Sequence, residues 1–569
     1  MRKSGILVCV LLAGTAGGCE NGSGGKAGDT GATDGSMTGG AVADPTDGGG
    51  GGEEASCEAL RPGPSPIRRM TRFEYDNTVR DLLGDDSRPA QAFPAEEEAH
   101  GFNNNADALV VTGLLAEHYL NAAETLAEKA VKDLPALLGG CAPESEGQDV
   151  CAGEFITAFG RRAFRRPLTS EEVDTLTATY ARARDDFDFE TAIRLTLTSM
   201  LQSPHFLYRV EFGAPLDGVT DVVKLAPYEL ASRLSYFLWG TMPDDALFEA
   251  AASGALETPE DVAAQARRML ADPRARVVVR DFHMQWLHLT HLDNLEKDSN
   301  IYPDFDPAVR PLLQAEAEAF VDHVIWDGEG DLDTLLLAPF TFMNGELADY
   351  YGVAGPKGKD LELVELPEGR ASGVLTLGGV MATLAKTNQT SPIHRGAFVR
   401  ESLLCQVVPP PPDGIVITPP EVDPNLPTRD RFKEHAMDPL CGGCHVLLDP
   451  VGFGFEHYDG LGRWRDVEAN KPIDASGELV DAQVAGAFDG VPGLAAMLVS
   501  SPEVESCMTR QWFRYAQGRA ESTEDKCTIE DLGGEFADSG RNIQALIVAI
   551  TQTDAFLYRR ALTGEGGSL

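Results

Sequence analysis

Five consecutive residues carry the densest chemistry in this chain: Cys441, Gly442, Gly443, Cys444 and His445. Two thiols one helical turn apart, followed at once by an imidazole, suit covalent haem. The thiols reach both vinyl groups and the histidine turns under the iron as axial ligand. The same residues admit two other readings. A structural zinc site needs four ligands, and here there is no second Cys-x-x-Cys and only His457 follows closely. A redox dithiol needs a strand-to-helix step where a helix N-terminus lowers the thiol pKa, whereas the flanking sequence reads as helical. One covalent haem c on Cys441 and Cys444, with His445 as proximal iron ligand, is the reading that uses all three side chains.

For the sixth iron position the candidates are Met497, Met508 and His457. Met497 is carried forward as the distal ligand. A methionine there raises the potential and suits electron transfer; an open position suits binding or turnover of a small molecule. Arg463, Trp464 and Arg465 are placed either to meet haem propionates or to pack a loop. A carbonyl near Pro450 is expected to accept the Nδ1 proton of His445 and orient the ring.

Two further clusters are chemically suggestive. "DFHMQWLHLTHLD" contains His283, His288, His291 and Asp293, a conceivable metal set for which packing around Trp286 is the simpler reading. "RRAFRRPLT" places Arg161, Arg162, Arg165 and Arg166 before a helix start, where pairing with local carboxylates is expected. No phosphate-binding loop, nucleophile elbow or HExxH occurs.

The elements that must position these residues read as helices. Thr71 with Glu74 forms a capping box, Met70 and Tyr75 a hydrophobic staple, and Val79, Leu82 and Leu83 continue the face until Gly84. Thr169 with Glu172 repeats the box, and Thr258 caps a helix whose first position is Pro259. Leu230, Leu234, Phe237 and Leu238 recur at helical spacing before Gly240, and Ile543, Leu546, Ile547 and Ile550 do the same near the end. A short helix is expected over 429–436. Alternating strand patterns are scarce, so the predicted fold class is mainly α, a multi-subdomain helical protein with a C-terminal cytochrome c-like module. "MLQSPHFLYR" and "ITQTDAFLYR", at comparable distances after Cys151 and Cys507, suggest two copies of one helical unit.

The N-terminus reads as an export signal: Met1, Arg2 and Lys3, an apolar run from Ile6 to Leu12, then "AGTAGGC". "TAGGC" resembles a lipoprotein cleavage box with Cys19 as the lipidated residue, although Ala16 stands where leucine is usual and ordinary signal-peptidase cleavage is the alternative. The following Gly-rich stretch has too few large apolar residues to order itself and reads as a tether. In an oxidising compartment the remaining cysteines pair. Nearest neighbours give Cys141–Cys151 and Cys507–Cys527, which leaves Cys57–Cys405.

The expected division is a signal at 1–19, a tether at 20–60 and helical domains at 61–135, 136–215 and 216–360. A connector with a proline-rich segment follows at 361–427, then the haem domain at 428–569. A net charge of −42 argues against nucleic acid or an anionic lipid surface as partner, leaving the N-terminal lipid as the membrane contact.

"IRRMTRFEYDNTVRDLLG", "GFNNNADAL", "AFRRPLTSEEV", "SPHFLYR", "YELASRLSYFLWGTMPD", "TSPIHRGAFVRESLLC", "CGGCHVLLDPVGFGFEHYDGLGRWR" and "YAQGR", in that order, resemble the secreted planctomycete cytochrome c-like proteins. These are built from tandem domains of unknown function. The resemblance implies a c-type haem module after a long helical region, outside the cytoplasm at the periplasm or cell surface, and it supplies no reaction. The expected role is electron transfer with an unidentified redox partner. The alternatives are a haem oxidase or peroxidase with an open iron, and a surface binding or scaffold lipoprotein in which Cys441 and Cys444 form only a disulfide.

Overall fold

The expected helix starts and stops are where the chain turns into and out of helix. In the computed structural model, which describes residue 57 and residues 59–408, 420–436 and 442–561, Thr71 caps the helix Arg72–Leu83. Its hydroxyl accepts from the Glu74 amide while the Glu74 carboxylate takes the Thr71 amide, and Gly84 ends the helix at φ +67°. The same reciprocal box opens Ser170–Asp186 at Thr169 and Pro259–Leu270 at Thr258. Pro227–Trp239 ends on left-handed Gly240, and the proposed short helix runs Thr428–Ala436. Strands are short and join into two- and three-stranded sheets, so the protein is mainly α-helical. One compact unit spans Ala55–Leu569.

Two hydrophobic cores fill that unit. The smaller gathers Tyr75, Phe155, Leu197 and Phe206; the larger runs from Leu230 and Phe282 through Trp512 to Phe556. Each ends in one of the two similar segments. After Gln148–Ala163, Ser170–Asp186 and Phe189–Leu201 comes the single turn Pro204–Leu207 and the strand Tyr208–Arg209. Pro502–Gln517, Lys526–Asp538 and Ile543–Ile550 are likewise followed by Asp554–Leu557 and Tyr558–Arg560. Phe206 and Phe556 are fully buried, and a buried guanidinium binds the carbonyls of each turn. Arg165 donates to His205, Phe206 and Tyr208 oxygens; Arg233 donates to those of Ala555 and Phe556 at 2.8 Å. The strand Tyr558–Arg560 pairs antiparallel with Val219–Lys224, so the last element closes against the middle of the chain.

Among the described residues three disulfides hold this arrangement, and two differ from the nearest-neighbour expectation. Cys141–Cys151 is present, but Cys57 pairs with Cys527 and Cys405 with Cys507, in place of Cys507–Cys527 and Cys57–Cys405. Cys507 and Cys527 sit on consecutive helices. Cys507, fully buried, faces the segment after Val399–Leu403, while Cys527 opens its helix where the N-terminal segment passes. The partners' Cα atoms are 5.3 and 5.7 Å apart, within disulfide reach. Sequence proximity does not bring together two cysteines that their helices aim at different neighbours. The signal, Cys19, most of the tether, the proline run at 409–412 and Cys441 lie outside the described residues.

Candidate functional site

The helix Gly442–Phe453 starts between the two cysteines of the motif, and Cys444 belongs to its first turn. His445 and Asp449 are four residues apart and therefore share a face. His445 Nδ1 lies 2.8 Å from Asp449 Oδ2, with both side chains buried. A carboxylate only accepts, so Nδ1 carries the proton and the Nε2 lone pair is the one suited to a metal. The orienting acceptor is thus a side-chain carboxylate and not the backbone carbonyl expected near Pro450. An ionised acceptor makes the imidazole a stronger donor than a carbonyl would. The spacing of Asp449 was a readable signal that the motif itself overshadowed.

This helix is clamped from behind. It packs on Pro392–Phe398 so closely that a Cβ on Gly396 would lie 2.2 Å from the Leu448 oxygen, and one on Gly452 would lie 1.9 Å from the Pro392 oxygen. Only glycine allows the two backbones to meet there. Arg400, 2% exposed, donates to the Leu447 carbonyl at 2.7 Å and to the Val480 carbonyl at 2.9 Å, tying the helix to the segment after the strand Ser476–Leu479. Arg395, fully buried, donates to the Phe455 and Asp459 carbonyls. Glu456 accepts from Thr390 at 2.9 Å and from Arg465 at 2.7 Å. The block from Thr390 to Cys405 is therefore the scaffold of the helix that carries Cys444 and His445. The pairing spans 60 residues of chain, so no local pattern displays it.

The arginines placed either to meet propionates or to pack a loop are engaged within the loop. Arg463 pairs with Asp459, and Arg465 with Glu456 and Glu468. Trp464 Nε1 donates to Asp466, and the Trp464 ring stacks on His457 with centroids 4.4 Å apart. His457 Nδ1 bonds the Arg465 carbonyl. Met508 is buried in Pro502–Gln517 and Met497 is half-buried with its Cε beside Gly486. None of these contacts is with His445.

The histidine cluster is packing. His283 is fully buried, bonds the Val279 carbonyl through Nδ1 at 2.7 Å and meets Trp286 and Trp512 edge-on. Burial pushes its pKa down to about 4. His288 reaches Ser402 Oγ at 3.3 Å. Among the described residues no three His, Cys, Asp or Glu side chains form a metal-binding group. Of the four arginines in "RRAFRRPLT", only Arg166 pairs with a carboxylate, that of Glu172. Arg165 binds backbone carbonyls, Arg162 the Asp81 carbonyl, and Arg161 lies over Phe248. For Arg165, the carbonyls of the Pro204–Leu207 turn outcompete nearby carboxylates.

Five family models, each described as a protein of unknown function, match in succession: DUF1587 over 68–132, DUF1595 over 151–211, DUF1592 over 225–353, DUF1588 over 371–468 and DUF1585 over 486–556. The chain belongs to the planctomycete cytochrome c-like tandem-domain family. The DUF1588 match, labelled PSCyt3, holds both Gly396 and Gly452, so the clamped helix pair is a single family unit and carries the cytochrome label. The DUF1595 and DUF1585 matches fall on the two similar three-helix segments. Searches of curated proteins and of solved structures found no match.

Proposed function

We propose that this family member is an exported c-type haem protein that exchanges electrons with a partner. The observation that carries the reading is His445, placed directly after Cys441-x-x-Cys444 and held by Asp449 at 2.8 Å. The donor set suits haem: two thiols in the motif, and an imidazole whose Nδ1 is held by Asp449, which makes Nε2 the nitrogen suited to iron. Among the described residues a Cβ on Gly443, exposed between the cysteines, would meet nothing within 4 Å. When bound, the haem would supply a one-electron ferric–ferrous couple. The chain's own residues do the rest. His445 binds iron, Asp449 holds its Nδ1 proton, and Arg400 with the Gly396–Gly452 contact fixes the helix that presents both. Met497 remains the proposed distal ligand.

The disulfides support an oxidising compartment, and among the described residues no helix is long and apolar enough to cross a membrane. Anchoring at the periplasm or cell surface through lipidated Cys19 completes the proposal. A net charge of −42 favours a basic docking partner.

The mature chain, produced with a cytochrome c maturation system, tests this. One covalent haem by denatured pyridine haemochrome, lost when Cys441 and Cys444 become serine, is the expected result. A folded chain without haem beside a working maturation control would overturn it. The Asp449 carboxylate also favours a second reading, a peroxidase or oxidase with an open iron, because a strong proximal donor assists O–O cleavage. Rapid cyanide binding to the ferric protein would select that reading; a spectrum indifferent to cyanide would select electron transfer.

A further inference from the structure

An open cleft of about 910 Å³ lies where the DUF1592 unit meets the second three-helix unit. One wall comes from the end of Pro259–Leu270, the start of Arg274–Trp286 and the π-helical turn His323–Asp327, which presents Trp326. The other wall is the last turn of Lys526–Asp538 and one face of Ile543–Ile550. Gln544 Nε2 donates to the Ile325 carbonyl and Asn542 Nδ2 to the Glu329 carbonyl, each at 2.7 Å, and Arg541 pairs with Asp333. The walls are therefore tied together at their base, and the cleft is formed before anything enters it. Its size and its place between two family units are those of ligand sites, and π-helical turns recur at such sites.

The floor is apolar: Leu270, Val548 and Ala549 are buried, and Trp326 is half-buried with its indole Nε1 unbonded among the described residues. Arg276 lies over the Trp326 ring, 5.3 Å from its centroid, and is drawn to Asp322 and Asp327, while Asp272 pairs with Arg274. The remaining charges on the rim are Arg267, Glu535 and Asp538, all exposed and in no ion pair among the described residues. Gln544 and Gln552, roughly two helical turns apart, bracket the apolar strip with amides.

A rim that holds both a free guanidinium and free carboxylates repels part of any ligand with a strong net charge of either sign. Hydroxyl groups, which both donate and accept, satisfy guanidinium, carboxylate and amide alike, and those bonds are strengthened by the charged partner. An apolar floor beneath such a rim suits the C–H faces of sugar rings. We propose that this cleft binds a neutral oligosaccharide of two or three rings, seated on the floor beside Trp326 and bonded through its hydroxyls to Arg267, Glu535, Asp538, Gln544 and Gln552. At roughly 30 Å³ per water-sized group, the volume matches a ligand of about 30 heavy atoms.

Calorimetry on the mature chain with cellotriose, maltotriose and triacetylchitotriose, against trilysine and citrate as charged probes, tests the proposal. Saturable binding of at least one trisaccharide is expected, weakened at least about tenfold in Trp326→Ala and several-fold in Gln552→Ala and Glu535→Gln. The last two change the rim without touching the core, so they report on binding even where loss of the Trp326 ring lowers the denaturant midpoint. Absence of saturable binding of all three sugars up to roughly 20 mM overturns the proposal. So does tighter binding of trilysine or citrate than of any sugar, or sugar binding undiminished in Gln552→Ala and Glu535→Gln.

Discussion

His445 Nδ1 and Asp449 Oδ2 are 2.8 Å apart on one buried helix face. In the haem-loaded protein proposed above, an ionised acceptor would stabilise ferric over ferrous iron through the imidazole. Asp449→Asn keeps the shape and removes the charge, so the midpoint potential should rise. A tenfold change in relative ferric and ferrous affinity corresponds to about 59 mV, the expected order of the shift in spectroelectrochemistry. An unchanged potential would show that the carboxylate does not tune the iron ligand.

The glycine contact behind the motif should be intolerant of any side chain. Gly396→Ala and Gly452→Ala each force a Cβ into the facing backbone, and overpacking of this kind costs about 1–3 kcal/mol. Denaturant midpoints should fall, and covalent haem per chain should fall with them. Gly443→Ala, which meets nothing, is the control and should behave as wild type apart from a small propensity gain.

Peptide mapping under non-reducing conditions should yield Cys57–Cys527, Cys141–Cys151 and Cys405–Cys507 and no Cys507–Cys527. Replacing Cys405 and Cys507 together by serine opens a loop of 102 residues and should lower stability by about 3–5 kcal/mol.

His283 gives a pH signature. Its folded pKa is near 4 against 6.5 for an ordinary histidine, because burial disfavours the charged ring. Between those values the unfolded chain binds the extra proton, so stability falls as pH drops from about 6.5 to 4, by on the order of 3 kcal/mol from this group. His283→Leu should flatten that part of the stability–pH curve; an unaltered slope would assign the acid sensitivity to other groups.

Much of the helical frame was legible locally. Thr71 with Glu74 and Thr169 with Glu172 are hydrogen-bonding units complete within four residues, and Gly84 and Gly240 stop helices because they alone accept a left-handed backbone cheaply. The cysteine partners were not legible, since which thiol faces which depends on the packing of helices distant in sequence. The arginines were misjudged for the same reason. Arg165 has the Glu172 carboxylate nearby in sequence, yet it is drawn to buried carbonyls that exist only once the turn has formed.

The sequence by itself determined helix starts and stops, their caps, the repeated FLYR turns and the Cys-x-x-Cys-His motif, all of which are set by interactions within a few residues. Only the tertiary structure decided that Asp449 holds His445 in a buried setting, that two glycines bring the motif helix against Pro392–Phe398, and that Cys405 closes on Cys507. The burial of the His445–Asp449 pair, the glycine packing and the disulfide depend on segments far apart in the chain, which no local pattern encodes.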